Sequence, residues 1–159
     1  GIGEAVGEGI LSGDFKYKNI SILAEAARLG IPATVHMAIG TDIIHLHPEA
    51  DGKSLGEGSL RDFKTYCKLI ENLEEGVYFN IGSAVILPEV FLKAVTLARN
   101  KGKKLSKITT VDMDFIRNYR PQTNVVQRPT AKGGQGFHLT GHHEIMLPLL
   151  AAAVIESLI

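Results

Sequence analysis

The stretch from Val77 to Asn100 constrains the fold of this chain more than any other. Val77–Ile81 (Val-Tyr-Phe-Asn-Ile) reads as a buried strand and Gly82-Ser83-Ala84 as a small-residue turn. Pro88-Glu89 and an apolar-periodic run to Asn100 read as the helix that follows. Pro88 suits a first helical turn, and Glu89 complements the positive end of the helix dipole. Phe91, Val95 and Ala98 share the stripe that such a helix buries, and Asn100-Lys101-Gly102 ends it. Small turn residues let a ligand approach the backbone, and the first N–H groups of a helix lack intrahelical acceptors. The combination suits a phosphate or another anion. The leading expectation is a nucleotide-binding α/β protein.

The flanking segments extend the pattern. Asn19 is expected to cap a helix from Ile20 to Leu29 that Gly30 ends. Ala33–Ile39 reads as a strand closed by Gly40, and Thr41 to Gly58 as a long irregular connection. Ser59-Leu60-Arg61-Asp62 resembles a capping box opening a helix to Leu73, with Leu60, Phe63, Cys67 and Ile70 on one face. Ile108 to Met113 reads as another strand and Val125-Val126 as a short one. Lys132-Gly133-Gly134-Gln135-Gly136 reads as a mobile turn, and Glu144 to Leu158 as a closing apolar helix. Alternating helices and strands imply βαβ units and a parallel sheet covered on both faces. One α/β domain over residues 1–159 is expected. The chain begins at Gly1 in mid-pattern, so it reads as a piece of a longer protein.

Composition narrows the function classes. Seventeen basic and seventeen acidic residues leave no net charge, against the basic footprint of a nucleic-acid binder. Lys101, Lys103, Lys104 and Lys107 cluster, as a solvated turn after a helix does. The longest apolar run, Ile145 to Ile155, is too short to span a bilayer and contains Pro148. With one cysteine, Cys67, neither an intrachain disulfide nor a cysteine-based zinc site can form. A cytoplasmic protein is expected.

Ligands of parallel sheets sit beyond the carboxyl ends of the strands. Gly40-Thr41-Asp42, Gly82-Ser83-Ala84 and Thr109 to Asp114 are expected at that edge. Ser83 and Ala84 would offer backbone N–H groups to a pyrophosphate. Asp42 would hold ribose hydroxyls or cap a turn. Thr110 would donate to a phosphate, and Asp112 or Asp114 would take a ribose or an amine. Six histidines add a second theme. His45 and His47 would point the same way from an extended segment, with Glu49 and Asp51 close by, and His142, His143 and Glu144 form another cluster. Imidazoles with carboxylates suit zinc, iron or manganese. A divalent-metal enzyme using these clusters is the alternative to the nucleotide reading. His142 or His143 also suits ligand recognition or proton transfer. Gly1-Ile2-Gly3-Glu4-Ala5-Val6-Gly7 has the wrong spacing for a dinucleotide fingerprint and reads as a helix fragment. Gly52-Lys53-Ser54 lacks the upstream glycine of a P-loop, and Ser83 lacks a nucleophile elbow.

The order of motifs from Ile31 to Leu158 resembles the deoxyhypusine synthase family. The quoted matches are Thr41-Asp42, the Gly82-Ser83-Ala84 triplet, Arg99-Asn100-Lys101-Gly102, Thr109-Thr110-Val111, Arg120-Pro121 and Pro148-Leu149-Leu150. The resemblance implies a Rossmann-like three-layer α/β/α fold with a mostly parallel sheet, NAD as cofactor, and a homo-oligomer with active sites at subunit interfaces. By position it makes Asp42, Gly82, Ser83, Thr110 and Asp114 cofactor-side residues. The family's catalytic lysine falls near Arg128, which stays protonated and cannot form an imine. Lys132 is the nearest lysine, four residues along, and is the candidate nucleophile. The family's paired histidines are replaced by Pro88-Glu89. The resemblance therefore implies an NAD-binding relative of different substrate, without the standard aminobutyl transfer. A further alternative is a non-catalytic oligomeric domain.

Overall fold

The computed structural model describes all residues, Gly1–Ile159, and the chain divides into two compact units, residues 1–69 and 70–159. It is a mixed α/β protein with an open, all-parallel sheet of three strands. No helix is long and apolar enough to cross a membrane.

In the first unit, α1 (Ile2–Ser12) and α2 (Ile22–Leu29) pack closely. Their approach depends on glycine: a Cβ on Gly7 would lie 2.5 Å from the carbonyl oxygen of Leu23. The glycine-rich start is helical, as expected. Helix α2 differs from expectation at its origin. Lys18–Ile20 form a 3₁₀ turn, and Ser21 rather than Asn19 caps α2 by accepting the Ala24 N–H. Gly30 ends α2 at φ +66, where an L-residue is strained.

Ala33–Ile39 is extended but joins no sheet. Its N–H groups go to side chains instead. Val35 N–H donates to Asp62 Oδ2, Met37 N–H to Ser59 Oγ and Ala38 N–H to Asp42 Oδ2. The strand expected here is thus replaced by an extended run held mostly from α3 (Gly52–Ile70). That helix starts seven residues before the anticipated capping box. Asp51 caps it, accepting from the N–H groups of Lys53 and Ser54. Ser54 hydrogen bonds hold the Asp51 carboxyl below its ordinary pKa. Cys67 and Ile70 are buried on α3 as the periodicity indicates, whereas Leu60 is exposed.

The second unit carries β1 (Val77–Ile81), α4 (Ile86–Asn100), β2 (Thr109–Asp114), β3 (Gln135–Thr140) and α6 (His143–Leu158). Between β2 and β3 a short helical turn, α5 (Tyr119–Pro121), runs into a π-helical segment, Gln122–Gln127. Val125-Val126 lies in that segment and is not a strand. Central strand β2 is buried along nearly its whole length, as parallel strands are. One sheet face meets α4 and the π turn. Tyr78 stacks on Phe91 at 3.7 Å, and Thr110 Oγ1 donates to Val125 O. A Cβ on Gly136 would strike Val126 O at 2.4 Å. Arg99 pins the far edge by donating to Leu105 O and Pro129 O, and burial lowers its pKa. Strand β3 begins inside the segment that the sequence presents as a mobile turn. Helix α6 buries none of its residues.

Candidate functional site

The strand registers bring three chain segments to the carboxyl edge of the sheet. Ile81 pairs with Met113, and Asp114 pairs with Thr140. Gly82 leaves β1 at φ +65, and its N–H donates to Met113 O at 3.0 Å. The chain crosses the edge at Gly82 and enters α4. Ser83 Oγ accepts the Leu87 N–H, and Pro88 has none to offer. No hydrogen bond within the protein uses the N–H groups of Ser83, Ala84, Val85 or Ile86. This is the donor row expected of an anion-binding turn.

Asp114 ends β2 and is 6% exposed. It accepts the Phe115 N–H on Oδ1 and an Asn118 Nδ2 hydrogen on Oδ2. A carboxylate has about four lone-pair sites, so acceptor capacity is left for a ligand hydroxyl. His143, at the start of α6, closes the edge. Its Nε2 lies 3.2 Å from Met113 O and 3.8 Å from Asp114 Oδ1. Phe115 meets the imidazole edge-on. Gly82 is favoured by its positive φ, and a Cβ there would sit 3.2 Å from His143 Cε1, so the imidazole would have to give by a few tenths of an ångström. With Nε2–H directed at a carbonyl, the lone pair falls on Nδ1, which can accept a proton.

One pleat beneath this edge runs a polar rung through all three strands. Asn80 pairs in register with Asp112, and Asp112 with His138. Asn80 Nδ2 donates to Asp112 Oδ1 at 2.8 Å and to Ser83 O at 2.9 Å. His138 Nδ1 is 3.3 Å from Asp112 Oδ2, within ion-pair distance though out of line for a hydrogen bond. Beside it, Glu89 of α4 is bound by Asn124 of the π turn and lies 3.5 Å from Arg120.

The other expected site residues have different surroundings. Thr110 is fully buried in mid-strand, its hydroxyl committed to Val125 O. Asp112 is buried within β2 and faces its strand neighbours rather than an open edge. Asp42 belongs to the first unit and closes a turn through the Ala38 N–H. Lys132 is exposed before β3, so the six-residue strand separates it from His143 by roughly 20 Å. Arg128 is exposed, with Nη1 3.4 Å from Asn124 Oδ1. His142 is exposed beside Glu144.

His45 and His47 do not project from an extended segment. Ile43–Leu46 is a 3₁₀ turn, in which His45 Nδ1 accepts the Gly40 N–H and His47 Nδ1 the Glu49 N–H. No three His, Cys, Asp or Glu side chains come together in a metal-holding group. Sequence reasoning missed His138 and the pairing role of Asn80. The alternation of Phe137 and Leu139 with His138 and Thr140, between Gly133-Gly134 and Gly141, was the available signal.

In comparisons with known proteins, the chain matches no family model, no curated protein and no solved structure.

Proposed function

We propose that the second unit binds a dinucleotide, NAD, across the carboxyl edge of its sheet, as a divergent deoxyhypusine synthase-like protein. The observation carrying this reading is the meeting of Gly82, Asp114 and His143 at one edge. In a dinucleotide-binding βαβ unit, a glycine turn opens the helix and an acidic residue ends the next strand. Gly82 and Asp114 hold those two positions around α4. The N–H groups of Ser83, Ala84 and Ile86 would hold the pyrophosphate, and Asp114 a ribose. His143 Nδ1 would serve as the proton-transfer group. NAD would supply hydride exchange when bound. The same reading takes the three-strand sheet as the nucleotide-binding part of a Rossmann-like three-layer fold. With arginine at position 128 and Lys132 at the opposite sheet edge, imine-based aminobutyl transfer is not part of it.

The thermal midpoint should rise saturably with millimolar NAD, because a ligand of the folded state stabilises it by mass action. Gly82→Val should abolish the rise while leaving a cooperative transition. An unchanged midpoint in folded wild-type protein would reject the dinucleotide reading. A homo-oligomer belongs to the same proposal. Helix α6 has Ile145, Leu149, Ile155 and Leu158 exposed, and an apolar helix of this kind is normally covered. Sedimentation equilibrium should report more than one copy, and a monomer at micromolar concentration counts against it.

A further inference from the structure

We propose that Asn80, Asp112 and His138 form a positioning relay that couples the charge on His138 to the geometry of the Gly82–Ser83 turn. The relay would act on the ligand turn of the proposed dinucleotide site, and so rests on that reading for its use, although the coupling itself exists without ligand. The three residues share one rung of the sheet, one from each strand. Asn80 and Asp112 are 2% exposed, and the His138 side chain is 14% exposed. The amino group of Asn80 has two hydrogens, and both are committed. One holds Asp112 Oδ1, and the other holds the carbonyl oxygen of Ser83. Its own Oδ1 is buried without a partner. Leaving such an acceptor unpaired disfavours the folded state. The amide is therefore oriented by its two donor contacts and not by satisfaction of its oxygen.

Asp112 faces Asn80 on one oxygen and His138 on the other. A buried carboxylate needs a compensating charge or donor. Protonated His138 provides it and leaves Oδ1 for Asn80. Loss of the proton removes the cation that faces the carboxylate, which then leans on its remaining donor, Asn80, and draws Asn80 off the Ser83 carbonyl. The turn is therefore looser when His138 is neutral than when it is charged. Other titratable groups face the turn itself: His143 across Gly82, Asp114 at the end of β2, and Glu89 in the first turn of α4, the last tied to Arg120 and Asn124. His143 must therefore be removed before the His138 contribution is read.

The test is a ¹H–¹⁵N NMR titration of the ligand-free full chain in the His143→Gln background, from about pH 5 to about pH 8, where histidine titrates. The Ser83 and Ala84 amides should shift with the same midpoint as the His138 ring. His138→Gln and the isosteric Asp112→Asn should each abolish that shift. Asn80→Leu should abolish it at the turn while His138 still titrates. Spectral dispersion reports that each variant is folded, and Asp112→Asn serves if Asn80→Leu is not. Amide shifts that persist in folded His138→Gln or Asp112→Asn protein overturn the relay. In wild-type protein, NAD should bind about five- to tenfold more weakly above the His138 midpoint than below it, in line with the loss of one turn hydrogen bond. Absence of NAD binding at every pH rejects the dinucleotide reading, while the ligand-free titration still decides the relay.

Discussion

The two units reach stability by different means. In residues 70–159 the fully buried side chains include Phe91, Val95, Leu105, Ile108, Met113 and Val125, gathered about β2 and α4. In residues 1–69 the buried apolar residues are Ala24 and Cys67. That unit is held instead by close backbone approach at glycines and by one buried carboxylate. Asp62 Oδ2 accepts the N–H groups of Gly3 and Val35, joining α1 and the extended run to α3. The buried carboxylates differ in the same sense. Asp62 grips backbone, whereas Asp112 grips side chains on its own sheet rung. A carboxylate that binds backbone N–H groups acts as a brace. One that faces an amide and an imidazole can respond to protonation.

The largest effect that separates the units should come from Phe91→Ala. Phe91 is fully buried and stacked on Tyr78, and its truncation should destabilise the second unit by about 3–5 kcal/mol. Urea unfolding measures the loss, and hydrogen exchange should locate it in β1, α4 and β2. An effect below about 1 kcal/mol would mean that the core lies elsewhere. Gly7→Ala tests the first unit. The added methyl meets Leu23 O and Ala27 Cβ, so a loss of about 1–3 kcal/mol is expected from overpacking. A neutral result would show that α1 and α2 are free to separate.

The smallest effect concerns His36. Its ring meets Tyr66 edge-on at 5.1 Å, and its Nε2 lies 3.0 Å from Thr34 Oγ1. Burial lowers its pKa from 6.5, with Asp62 opposing. A histidine with a depressed folded pKa takes up protons more readily when unfolded. Its contribution is complete above the unfolded value and is lost as pH falls from about 6.5 toward the folded value. Thermal midpoints recorded down that range should fall less steeply in His36→Gln than in wild type. Equal slopes would assign the acid sensitivity to other groups.

Legibility in the sequence followed locality. The strand Val77–Ile81 and the start of α6 are readable to within a residue, because an apolar run bounded by a small-residue turn leaves few alternatives. Ala33–Ile39 has the same apolar character, but a strand exists only if another strand pairs with it. Here Asp62 and Ser59 take the N–H groups that a ladder would have used. Gly52, Gly56 and Gly58 hid the start of α3, since glycine disfavours helix. Gly58 is required there because a Cβ would lie 2.5 Å from Ile2. At the site, Gly82, Asp114 and His143 were readable as types in position. The burial of Thr110 and Asp112 was not legible, because it comes from packing on both faces of β2, where residues 110 to 114 are all buried.

By itself the sequence determined the β1–α4–β2 unit, the glycine turn after β1, the absence of an intrachain disulfide and the residue types available at the sheet edge. Those follow from local periodicity, φ preference and composition. Only the tertiary structure decided that Asn80, Asp112 and His138 share a rung and that His143 closes over Gly82. It also decided that His45 and His47 each turn Nδ1 to a backbone N–H. Residues 80, 112 and 138 are separated by tens of positions. Register between parallel strands is set by long crossover packing, which no local pattern encodes.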